Sequence, residues 1–125
     1  MNTSEILNCT QHFVTNEQIA AGVVEPRRDR KDLIKSLLTF DELPSGKVLS
    51  CRAKWIAELC LEEGYKNVMI GGAPFFMSHL ESALKNLGMV PVYSFSKRFV
   101  DEVVLVDGSV EKKSIFKHIG FVEVK

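Results

Sequence analysis

Val68-Met69-Ile70-Gly71-Gly72-Ala73-Pro74 runs an apolar strand into two glycines and a proline. That order predicts a strand, a tight turn and a helix start, because proline fits the first helical position without losing a needed hydrogen bond. The first turn of a helix leaves backbone N–H groups without partners. Such a turn offers donors to an anion, phosphate above all. From Pro74 to Leu87, residues Phe76, Leu80, Ala83, Leu84 and Leu87 recur at helical spacing, and Gly88 closes the run. By this phase Phe76 belongs to the core. Phe75 and Met77 diverge from it and are candidates for a pocket mouth or a subunit interface.

Working outward, Lys66–Ile70 is the strand before the turn and Val90–Phe95 the strand after the helix. Upstream, the apolar positions Leu49, Ala53, Ile56, Ala57, Leu59 and Cys60 predict a helix over Val48–Glu63, ended by Gly64. Glu5–Thr10 reads as the first strand. Thr15 and Gln18 form a capping-box pattern for a short helix that Gly22 stops, after which the chain runs extended to Pro26. Arg28–Leu38 is a further helix with Leu33, Ile34, Leu37 and Leu38 on one face. Arg27, Arg28, Arg30 and Lys31 load its start with positive charge, which the helix dipole opposes. A solvated face is the simpler reading of that cluster; a docking patch for an anionic partner is the other. Near the C-terminus, Val103–Val106, Asp107-Gly108 and Ser109–Lys113 carry the signal of a two-residue hairpin, and Ile115–Val124 adds a strand. The expected fold is a single Rossmann-like three-layer α/β domain over residues 1–125, with a parallel core sheet and a C-terminal antiparallel β-hairpin.

Composition narrows the function. Sixteen basic and sixteen acidic residues cancel, which argues against binding long nucleic acid through the overall field. No apolar run approaches the ~18 residues of a membrane span, and the start lacks the pattern of a signal peptide. Cys9, Cys51 and Cys60 form no C-x-x-C pair, so a reduced cytoplasmic protein with three small buried hydrophobes is expected. No pair of histidines has metal-ligand spacing, and neither metal nor cofactor is expected. Walker, G-x-G-x-x-G and G-x-S-x-G patterns are absent.

If the three central strands are parallel, their carboxyl ends share one edge of the sheet, where ligands of open α/β sheets bind. That edge would hold Thr10, Gln11 and His12, then Gly71, Gly72 and Ala73, then Ser94, Ser96, Lys97 and Arg98. The glycine turn supplies backbone donors; Thr10, Gln11, Ser94 and Ser96 supply neutral hydrogen bonds. Lys97 and Arg98 supply charge, Arg98 in a bidentate grip. His12 is the residue suited to proton transfer near neutral pH. His79 points either to this site or to a partner chain, and His118 reads as a partly buried structural residue.

Leu7-Asn8-Cys9-Thr10-Gln11-His12 followed by Thr15-Asn16-Glu17-Gln18 resembles the opening of small CRISPR-associated, Rossmann-like (CARF) proteins of the ring-nuclease type. Gly72-Ala73-Pro74 through Gly88-Met89-Val90-Pro91-Val92 is similar to their later pattern, whereas the insert from Val23 to Ser50 and the Asp107-Gly108 hairpin depart from it. The chain also resembles an uncharacterised family of bacterial and phage proteins. The first resemblance implies a cyclic oligoadenylate bound across a homodimer, in antiviral defence or counter-defence. It implies metal-independent cleavage, the ribose 2′-hydroxyl attacking the neighbouring phosphodiester. Gly71, Gly72 and Ala73 would then hold phosphate oxygens, Lys97 and Arg98 would stabilise developing charge, and His12 would move a proton. Two other readings stay open: a non-enzymatic interaction or regulatory module such as a phage-encoded inhibitor, and an enzyme acting on a small phosphorylated metabolite.

Overall fold

Alternation along Asn2–Cys9 sends Leu7 and Cys9 to one side of a strand, β1, and Ile6 and Asn8 to the other. In the computed structural model, which describes residues 1–125, β1 lies inside a five-stranded sheet. The chain continues through α1 (Asn16–Ala20), β2 (Val23–Val24), α2 (Arg28–Leu37), α3 (Gly46–Glu63) and β3 (Tyr65–Ile70). It ends with α4 (Pro74–Asn86), β4 (Val90–Val104) and β5 (Val110–Glu123). Strand order is β2-β1-β3-β4-β5; the first four are parallel and β5 is antiparallel.

After β1 the chain moves outward to β2, then returns across β1 to β3. The carboxyl ends of β1 and β3 therefore flank a topological switch point. Helices α2, α3 and α4 cover one face, where Leu7, Cys9, Val68 and Ile70 meet Ile34, Ile56, Cys60, Phe76, Leu80 and Leu84. The opposite face is covered more thinly. Val23, Met69 and Val92 pack there with Ile6, Val14, Val90 and Phe121, beside the five-residue α1, none of whose residues is buried. The sheet is thus open on the α1 side.

Local signals acted as their chemistry dictates. Thr15 and Gln18 form the reciprocal capping box, Ser45 caps α3 and Gly64 ends it at φ +87°. Cys9 and Cys60 are buried, but Cys51 is exposed, contrary to the expectation of three buried thiols. A hydrogen bond with Cys9, together with burial, pushes the Cys60 thiol well up.

The largest departure from expectation lies in the last third. β4 does not stop near Phe95 but continues to Val104, and the two segments expected at Ser109–Lys113 and Ile115–Val124 merge into one strand, β5, over Val110–Glu123. Sequence periodicity missed this because Ser96, Lys97, Arg98, Asp101 and Glu102 break the apolar run, while both sides of this ribbon face solvent. The connecting turn is also longer than the two-residue signal suggested. Leu105 O accepts from Gly108 N, Leu105 N donates to Ser109 O, and Gly108 sits at φ +84°. That is a three-residue loop with glycine as its left-handed residue. Beyond Val92, where pairing with β3 ends, β4 and β5 project as a two-stranded arm. Opposite Phe95 and Ser96, β5 carries one extra residue, Ile119, as a bulge at the arm's base.

Candidate functional site

The loop after β1 is held by a buried polar network. Asn8 is fully buried at the end of the strand; its Nδ2 donates to His12 O at 2.8 Å and to Glu25 Oε1 at 2.7 Å. Its Oδ1 accepts from Thr10 N at 3.1 Å and from Thr10 Oγ1 at 2.7 Å. Lys31 Nζ donates to Thr10 O at 3.0 Å, His12 O at 2.8 Å and Glu25 Oε1 at 3.2 Å. Glu25 Oε2 also accepts from Val14 N. Burial of an ammonium group is tolerated only with such full pairing. Lys31, expected to lie with the arginines of α2 on a solvated or docking face, is instead 1 % exposed beneath this loop. Its spacing held the clue. Lys31, Ile34 and Leu37 are the buried residues of α2 and share its apolar stripe.

The loop and the glycine turn form two walls of a cavity of about 470 Å³ at the switch point. Thr10, Gln11, His12 and Phe13 line it from the loop after β1; Gly71 and Gly72 from the turn after β3; Thr15 and Gln18 from the N-cap and first turn of α1. Met69 and Ile70 contribute apolar surface, and Tyr93 and Ser94 close the side toward β4. Gly72 has φ +153°, a conformation L side chains rarely adopt, whereas a side chain at Gly71 would make only ordinary contact with Thr10 Cγ2 at 3.7 Å. Ala73 is the N-cap of α4 with no side-chain cap, and Pro74 opens the helix. The start of α4 thus adjoins the cavity with its dipole uncapped by any side chain.

Six of the ten residues singled out from sequence therefore meet: Thr10, Gln11, His12, Gly71, Gly72 and Ser94, with Ala73 next in the chain. Three do not. Ser96, Lys97 and Arg98 lie beyond the cavity on the exposed arm. Arg98 donates from Nε and Nη2 to Ser114 Oγ at 3.0 and 2.6 Å, and Lys97 lies 5.5 Å from the Phe99 ring centre. The expected strand end that grouped them with the site does not exist. Thr10 spends its hydroxyl proton on Asn8, and Gln11 Nε2 donates to Thr39 Oγ1. Ser94 Oγ meets His118 Nδ1 at 3.0 Å and Gln18 Nε2 at 3.4 Å. His118 is partly buried against Phe121, as its sequence context suggested, and its Nε2 has no partner. His12 is exposed at the cavity, its carbonyl gripped and its ring free of hydrogen bonds.

Phe75 is half exposed, edge-on to Phe40, while Met77 is buried in the core rather than at a pocket mouth. His79 lines a separate groove between α3 and α4 with Ser50, Lys54 and Glu58. No three His, Cys, Asp or Glu side chains cluster to hold a metal. No helix is long and apolar enough to cross a membrane.

Tyr93 links the cavity wall to α4 by donating its hydroxyl to Glu81. Burial, the hydrogen bond and the charge of Glu81 together push the phenol up from its ordinary value. A raised folded-state pKa means that the protonated hydroxyl stabilises the fold fully below about pH 10, and that this contribution is lost as the pH rises further. Thermal unfolding followed from about pH 9 to about pH 11 should show that loss in the wild type and a shallower one in Tyr93→Phe.

The match to known sequences covers this whole arrangement. A family model described as the uncharacterized protein MJ1673 family matches residues 4–122. The chain belongs to that family. No curated protein and no solved structure matches it. The family match runs from β1 into β5, so it takes in the buried network, the cavity and the arm together.

Proposed function

We propose that the cavity at the switch point binds a phosphate-bearing ligand of nucleotide type. The observation that carries this reading is the meeting of the β1 loop, the Gly71-Gly72 turn and the start of α4 around one space of about 470 Å³. That volume lies within the ~300–1,000 Å³ usual for small-molecule sites. Backbone N–H groups of Gly72 and Ala73 and the α4 dipole would face the phosphate. Gln18 and Ser94 would bond the sugar or base, and Phe13, 59 % exposed at the rim, offers a stacking face. Lys97 and Arg98 have no part in it, so charge on the ligand is met by the backbone N–H groups of the turn and by the α4 dipole.

A cyclic oligoadenylate is the member of this class implied by the resemblance to ring-nuclease-type proteins. Its cleavage would have the ribose 2′-hydroxyl attack the adjacent phosphorus as the bond to the 5′-oxygen breaks. His12 would take the hydroxyl proton, the departing 5′-oxygen would take a proton from water, and the helix start would stabilise charge on the phosphoryl oxygens, leaving a 2′,3′-cyclic phosphate and a 5′-hydroxyl.

Thermal shift and calorimetry with AMP, inorganic phosphate and cyclic tri-, tetra- and hexa-adenylate test the reading. A ligand at about 100 times its dissociation constant adds roughly 2.7 kcal/mol. Binding of at least one nucleotide, lost on crowding the turn with Gly72→Val, is the expected result. If a cyclic oligoadenylate is cleaved, His12→Ala should slow cleavage by about 10²–10⁴ with binding retained. Absence of binding by every probe would remove the reading and favour the interaction module.

A further inference from the structure

The arm made of Ser96–Val104 and Val110–His118 leaves both long edges without a strand neighbour. β4 is paired to β3 only as far as Val92, and β5 is the last strand of the sheet. Each arm strand of nine residues spans roughly 30 Å. Phe99, Val100, Val103, Val104, Ile115 and Phe116 on it are between 37 % and 71 % exposed. A lone two-stranded ribbon is marginally stable in water, and a long open edge is a template for another strand.

Charge indicates which strand. Across the ribbon Asp101 opposes Lys113 and Glu102 opposes Lys112, so the arm largely neutralises itself and offers little to a polyanion. One pair has like sign. Lys97 opposes Lys117, their ammonium groups 5.5 and 5.3 Å from the Phe99 ring centre, and neither makes a salt bridge. At the base of the arm, Glu17 Oε2 accepts from His118 N at 2.7 Å. The edge of β5 left open on the arm therefore runs from Val110 to Lys117.

We propose that this edge pairs with the same edge of a second copy of the chain, antiparallel, about a two-fold axis through Ser114. Directly opposed residues point to the same face, so a two-fold axis normal to the sheet passes through a residue rather than between two. An axis through Lys112 sets that lysine against itself, and one through Lys113 does the same. An axis through Ile115 sets Lys113 against Lys117. Each of these places like charges opposite one another, which is destabilising. The axis through Ser114 opposes Glu111 to the other copy's Lys117, twice, and Lys113 to Ile115. It joins two arms into a four-stranded antiparallel sheet. It also gives Lys117 the carboxylate that it lacks within one chain, beside the repulsion from Lys97. The pairing is independent of any ligand in the cavity.

Sedimentation velocity on the full chain, from a few micromolar to about 100 μM, a range that detects micromolar dissociation constants, tests the proposal. The wild type should dimerise. Glu111→Lys and Lys117→Glu should each weaken the dimer by about tenfold or more, with unchanged circular dichroism as the check on folding. An equimolar mixture of the two variants should restore it, because in the mixed dimer both contacts between positions 111 and 117 again join opposite charges, one in the native sense and one exchanged. In a Cys51→Ser background, Ser114→Cys should form a disulfide between copies under mild oxidation, as the two residues lie directly opposite, while Lys112→Cys should not. A wild type that stays monomeric, variants that dimerise like the wild type, a mixture that fails to recover, or cross-linking equal at both positions would each overturn it.

Discussion

Replacing Lys31 by methionine is expected to lower stability by about 3–5 kcal/mol, the usual consequence of removing one partner from a buried ion pair. The methionine keeps most of the apolar stem. What it removes is the ammonium group shared by Thr10 O, His12 O and Glu25. Those acceptors then lose the donor that offsets their burial. Urea unfolding, read as a shift in midpoint at constant slope, measures the loss. A decrease below about 1 kcal/mol would mean that these acceptors reach water instead. Adding Glu25→Gln should recover part of the loss, since the two positions share one network and do not act additively. The same substitution should weaken ligand binding, because the Thr10–Val14 loop is shaped by this network.

Phe76→Ala should cost about 3–5 kcal/mol, the range for removing a fully buried phenylalanine. Phe76 is 0 % exposed, part of the core against the sheet, and edge-on to Phe40 at 5.3 Å between ring centres. Calorimetry should show a melting temperature lower by roughly 10–20 °C for a domain of this size. The residue lies two positions beyond Pro74 in the first turn of α4. A cavity there loosens the end of the helix that adjoins Gly72, so binding should fall along with stability. Phe75→Ala, half exposed one position earlier, should leave stability within about 1 kcal/mol of wild type.

Much of the fold was legible because punctuation and periodicity agreed. Gly71-Gly72 and Pro74 fixed one strand-to-helix turn, Thr15 with Gln18 another helix start, and Gly64 a helix end. The site was legible only where topology alone brings strand ends together. His12, Gly72 and Ser94 meet for that reason. Lys97 and Arg98 were misplaced because a solvent-exposed ribbon has no buried face, so its alternation carries no apolar signal and its charges resemble a loop. Asn8, Glu25 and Lys31 were missed for the opposite reason. Their polar character suggested the surface, and only the position of Lys31 on the stripe with Ile34 contradicts it. Burial of a charge depends on partners distant in sequence, Lys31 finding its own 6 to 21 residues away.

The position of β1 also has a meaning in time. It is synthesised before every strand it touches, yet it occupies the interior of the sheet, with β2 on one side and β3 on the other. Val23 and Val24 arrive early, but Asn67–Ile70, the partners of Ile6–Cys9, follow them by 61 residues. Until then Leu7 and Cys9 lack both β3 and the helix α4 that helps to bury them. A nascent chain stopped before Ile70 therefore carries an apolar strand with one edge open, the kind of surface that chaperones hold and that aggregates when left alone.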